Sequence, residues 1–141
     1  MKVKKTGKVL LAALAVSVFH MVFGALTCGW LFSWVYTIEP VNIWRHMDGP
    51  PGPGFMLGTF LFNIIFVIVY VVLKKGVPGK TKLIKGLVFG LCVWAVGILP
   101  GMFVTAYFMT VAPVVVVYWI LIGLIETPLK GLIAALVYGE K

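Results

Sequence analysis

Acidic residues are nearly missing from this chain of 141 residues: Asp and Glu total 4 against 12 Lys and Arg. Cysteine, serine and histidine are as scarce, at two apiece. Hydrolysis and group transfer need paired acids, a nucleophile beside its base, or a set of metal ligands, and these numbers leave few parts for any of them. No Gly-x-Gly-x-x-Gly follows a strand pattern, no His-Glu-x-x-His occurs, and no serine sits in a nucleophile elbow. An enzyme is therefore not expected, and no cofactor or metal motif is present. Cys28 and Cys92 both lie inside apolar runs, without a partner at redox or zinc spacing, which excludes a disulfide framework. Charge is low overall at 11% of residues, while hydrophobic residues reach 62%. A water-soluble domain is nearer one quarter and one half, so the expected solvent over most of the length is a lipid bilayer.

The net charge of +8 has the size of a nucleic-acid signal but not its distribution. Lys2, Lys4, Lys5 and Lys8 precede the first apolar run, and Lys74, Lys75, Lys80, Lys82 and Lys85 separate the second from the third. Such clusters set membrane orientation, so no nucleic-acid partner is expected. The reading is an all-α integral membrane protein, a single domain over 1–141 built as a bundle of four transmembrane helices, with spans at about 9–36, 55–73, 83–108 and 113–138. The first run is roughly twice as long as the apolar core of a signal peptide, and is read as a retained span closed by Trp30 and Trp34. The positive-inside rule places both termini and the basic loop 74–82 in the cytoplasm and the loop 37–54 outside. Pro100 is expected to kink the third span between Gly97 and Gly101. Thr110 and Pro113 fit the start of the fourth. A rival parse ends the third span at Leu99-Pro100-Gly101 and moves Glu126 to the cytoplasmic surface; it leaves one span barely long enough to cross.

Two features inside the spans invite function. Gly86, Gly90, Gly97 and Gly101 fall within about 60° of helical arc, and Gly123 and Gly131 flank Thr127 at four-residue spacing. Small residues at this spacing let helices approach closely in hydrocarbon, so both sets are read as packing faces, within one chain or between chains. The second feature is the polar set Glu126, Lys130, His20 and Asn63. An ionisable group inside a span is a functional-site candidate by default. Glu126 and Lys130 are four apart with the acid first, the favourable order, and Lys130 is expected to lean back onto the carboxylate. His20, near mid-span, is expected to bond Asn63 or a backbone carbonyl, or to serve as a proton relay. One such histidine per chain makes a bis-histidine haem only where two chains meet. In the outer loop Trp44, Arg45, His46 and Asp48 are candidates for a binding lip, with Trp44 resting on the headgroups.

The layout of basic N-terminus, four spans and the bend Gly97-Ile98-Leu99-Pro100-Gly101, with Tyr118-Trp119 and the later Glu126, resembles the small four-span inner-membrane proteins of unknown function found in bacteria. That resemblance implies an inner-membrane location and the fold, not an activity. Small multidrug transporters are similar in size, but carry their essential glutamate in the first span, where this chain has His20. Four-span disulfide-forming enzymes need periplasmic cysteine pairs, which are absent here. The expected role is a non-enzymatic structural or accessory subunit that forms a homo-oligomer or joins a larger membrane complex through its glycine faces. The alternative is a small homo-oligomeric transporter or channel for protons, cations or a small solute, using Glu126 and His20.

Overall fold

Hydrocarbon offers no partner to a backbone N–H or C=O, so an apolar chain crosses it as helices that satisfy their own hydrogen bonds. The structure, a computed structural model, describes residues 2–44, 49 and 51–139, and among these it is helical with no strand. Helix α1 runs Lys2–Leu26 and continues through a wider π turn, Thr27–Leu31. Helix α2 is Pro53–Leu73, α3 is Lys82–Val93, α4 is Leu99–Phe108 and α5 is Pro113–Tyr138. A π turn over Trp94–Ile98 joins α3 to α4 in one rod. Among the described residues four helices are long and apolar enough to cross a membrane: Lys5–Leu31, Pro53–Leu73, Lys82–Phe108 and Pro113–Tyr138.

The ends of these helices follow from local chemistry. Proline occupies the first turn of α2 and α5, where its missing N–H costs nothing. Thr81 caps α3 by accepting a bond from the Ile84 N–H at 3.3 Å. Gly139, left-handed at φ 48°, ends α5. Two boundaries differ from the sequence reading. The first span ends as a long helix at Leu31 rather than near residue 36, and Ser33–Thr37 is a separate 3₁₀ turn. Thr110 does not cap α5; the capping position is Ala112, and it makes no side-chain bond. The third span lies where the preferred parse put it: the rod passes through Pro100 and stops at Phe108, so Glu126 falls near the middle of α5 and the rival parse is set aside.

α5 is the axis of the bundle and packs most extensively on α3 and α1. It runs antiparallel to α1, since Lys8 meets Gly139, His20 meets Glu126 and Cys28 meets Tyr118. It runs antiparallel to α3 because Gly86 faces Gly131 and Gly90 faces Thr127. The interior is small and layered. Ala12, Ala13, Val16, Val67, Phe89, Ala134 and Tyr138 form one core, and Val35, Ala112, Val115 and Tyr118 a second beyond it. Outward-facing side chains are large and apolar, among them Phe62 at 73% and Val96 at 78% exposed. Such a surface would aggregate in water and is at home in acyl chains.

The glycine stripe of the third span divides. A Cβ on Gly86 would lie 2.5 Å from the Gly131 carbonyl oxygen, and one on Gly90 2.5 Å from Pro128 Cα. Backbone meets backbone there. On Gly97 and Gly101 a Cβ would meet nothing within 4 Å. The single groove expected from 3.6-residue periodicity is thus half as long as expected. The reason is the π turn at Trp94–Ile98, where Leu99 N–H bonds Trp94 O five residues back. One extra residue in a turn rotates everything after it by roughly 100°. Proline at 100 favours that widening, because its ring would clash with the carbonyl of the preceding α-turn.

Candidate functional site

Polar side chains at membrane depth lie along the seam between α1, α2 and α5. On α1 and the π turn that continues it, Ser17, His20, Thr27 and Cys28 lie on the inward side, while Leu14, Val18 and Val22 face out and a Cβ on Gly24 would meet open space. This is the 3.6-residue pattern with its sense inverted for lipid. His20 Nδ1 lies in direct ion-pairing contact with Glu126 Oε1. The two side chains keep 31% and 16% of their surface exposed, so the pair sits at the edge of the seam rather than sealed within it.

Two expectations are corrected here. His20 is held by Glu126, not by Asn63 or a backbone carbonyl. Asn63, buried on α2, instead donates from Nδ2 to Ser17 Oγ at 3.0 Å, and Ser17 in turn donates to Ala13 O at 2.8 Å. Lys130 does not close on Glu126; its ammonium lies over the Phe66 ring of α2, 5.5 Å from the centroid. The carboxylate is taken by a partner on another helix, and the lysine stem reaches an aromatic face, a favourable seat for a cation removed from water. The site therefore joins Glu126 and His20 directly and leaves Lys130 and Asn63 as neighbours with other partners. Together they fix α1, α2 and α5 at one level. Chemically the arrangement can share or pass a proton between imidazole and carboxylate, or hold them as an ion pair.

At the other end Trp44 is half-buried rather than standing free as a lip. It packs edge-to-face on Tyr36, centroids 5.1 Å apart, and on Trp119 at 5.9 Å. Trp119 Nε1 donates to the Tyr36 hydroxyl at 3.1 Å, and the Tyr118 hydroxyl donates to Cys28 Sγ at 3.4 Å. Burial, with Cys28 alongside, pushes the Tyr36 phenol up to about 12. The remaining loop candidates, Arg45, His46 and Asp48, lie outside the described residues. No group of three His, Cys, Asp or Glu side chains that could hold a metal converges among the described residues.

Two features went unread in the sequence. Pro128, inside α5, packs its backbone against Gly90. Trp94 Nε1 donates to the Ile120 carbonyl at 3.0 Å, tying the π turn to α5. A tryptophan well inside a span must place its N–H somewhere, and that was the available signal. No family model, curated protein or solved structure matches the chain, so its function is argued from these side chains alone.

Proposed function

We propose that this protein is a non-enzymatic subunit of the bacterial inner membrane, with both termini cytoplasmic, that works by assembling with a second copy of itself. The observation that carries this reading is how the polar groups at membrane depth are spent. Asn63 on Ser17, Trp94 on Ile120 and His20 on Glu126 each join two helices of the same chain. Bonds of that kind build a rigid scaffold. With Gly86, Gly90 and Gly131 consumed inside the bundle, Gly97 and Gly101 remain on an open face beside Val96 and Phe103, which is where a second copy could approach. Native mass spectrometry in mild detergent tests this: a homodimer or larger homo-oligomer is expected, and Gly97→Leu with Gly101→Leu should return it to monomer. A monomer before any substitution overturns the assembly.

One observation favours a second reading. The His20–Glu126 contact sets a titratable acid and base together near the middle of two spans, the arrangement a proton-coupled transporter uses. That reading predicts pH-dependent flux in proteoliposomes that fails in Glu126→Gln. Equal flux in the parent and the variant removes it.

A further inference from the structure

The basic end of the bundle holds a cavity of about 310 Å³, and five of its lining side chains are Lys74, Lys75, Lys80, Lys82 and Lys85. Positive charge near a membrane surface explains why lysines are there, but not why they surround a hollow. The loop geometry does. Gly79, at φ 148°, lies where a Cβ would fall 2.9 Å from Ile84 Cγ2, so the loop folds tightly back onto the start of α3. That fold turns the lysines after the turn toward those before it. Lys85 Nζ donates to the Lys74 carbonyl at 3.2 Å, and Lys74 Nζ lies 4.5 Å over the Tyr138 ring. These two fix the walls, while Tyr138 and Tyr70 are buried and make an apolar floor. Lys75, Lys80 and Lys82 are exposed at the rim.

Among the described residues, no acidic side chain lines this cavity. The like charges of Lys75, Lys80 and Lys82 repel each other at the rim, and an anion seated among them converts that repulsion into attraction. Lysine is a point-charge binder of phosphate, and the amino end of α3, capped at Thr81, adds its positive pole on the same side. The volume is at the small end of ligand sites, roughly 300–1,000 Å³, which suits a headgroup. We propose that this pocket binds a phosphate-bearing anion and that, in the membrane, the ligand is the headgroup of an acidic phospholipid. Its position at the end of the spans puts it at the level of lipid phosphates, where basic pockets between helices take such headgroups.

The test is native mass spectrometry of the full chain in detergent, titrated with phosphatidylglycerol or phosphatidylcholine, with a parallel arm in inorganic phosphate. One phosphatidylglycerol per chain is expected at concentrations that leave phosphatidylcholine unbound. Lys75→Gln with Lys80→Gln and Lys82→Gln should weaken it about fivefold per lysine, of order a hundredfold together. Those three lysines sit at the rim, and an unchanged helical circular dichroism spectrum shows that the variant still folds. The control Lys5→Gln with Lys8→Gln removes charge at the same end but from residues that do not line the pocket, and should bind as the parent does. Displacement of the lipid by millimolar inorganic phosphate, with the same lysine dependence, supports the phosphate site and makes its ligand a soluble anion. Equal binding of the two lipids, full binding by the rim variant, or an equal loss in the control overturns the proposal.

Discussion

At the scale of single residues, the seam separates two kinds of polar contact by what their loss should cost. Removing the Asn63–Ser17 bond takes away one neutral interhelical hydrogen bond, worth about 0.6 kcal/mol on average in membranes and up to ~1.7. Removing His20 alone leaves Glu126 without its partner near mid-membrane, and breaking such a pair costs roughly 3–5 kcal/mol. Unfolding in mixed detergent should therefore show His20→Leu clearly less stable than Asn63→Leu. The double variant His20→Leu with Glu126→Leu should recover most of the loss, because no lone charge remains. A double variant as unstable as the sum of its singles would mean the two side chains do not act as a pair. The Tyr36 phenol supplies a pH signature. Its folded value of about 12 is above the unfolded value of about 10. The stability it contributes is full below pH ~10 and is lost as pH rises toward 12. Alkaline unfolding of Tyr36→Phe should lack that component. Both members of the His20–Glu126 pair stood out in the sequence as rare ionisable groups within spans that a transporter would use together, yet their direct contact did not. Periodicity says which face a residue shares, not which residue of another helix meets it at the same depth, and Lys130 was the nearer partner only along the chain.

Among the elements, the spans were legible because length and apolarity alone decide what can cross a bilayer, and α2, the third rod and α5 lie close to where those rules put them. The phase along the third rod was not, since a constant 3.6-residue period was carried through Pro100. The π turn breaks that period and sends Gly90 and Gly97 to different surroundings, which gives opposite expectations for the same substitution. Gly90→Ala puts a methyl against the backbone of Thr127 and Pro128, and overpacking of this kind costs about 1–3 kcal/mol. Gly97→Ala meets open space and gains helix propensity of up to ~1 kcal/mol. Thermal unfolding of the two variants in the same detergent should move in opposite directions. A parallel shift would place both glycines in one groove and remove the π turn from the account. The same contrast explains why Gly97 and Gly101 remain available to a second copy while Gly86, Gly90 and Gly131 do not.

For the molecule as a whole, α5 gathers the other helices around one axis, and the charge is sorted along that axis. Lys8 bonds the Gly139 carbonyl and Lys74 covers Tyr138, so the start of α1, the loop between α2 and α3 and the end of α5 share one end. The cluster of Tyr36, Trp44 and Trp119 marks the opposite end. Four spans return the chain to the side on which it began, and the positive-inside rule predicts that the lysine-rich side stays in the cytoplasm, because translocating clustered positive charge is disfavoured. The expected topology thus has two independent reporters. A cysteine introduced at Lys80 in a background with Cys28 and Cys92 replaced by alanine should react with a membrane-impermeant maleimide only after the cells are opened. One introduced at Glu39, which is exposed, should react in intact cells. The reverse pattern would turn the molecule over and carry the basic pocket away from the cytoplasmic leaflet. Labelling of both positions in intact cells would mean that the chain inserts in two orientations, and the lysine clusters would then be too weak a signal to fix either.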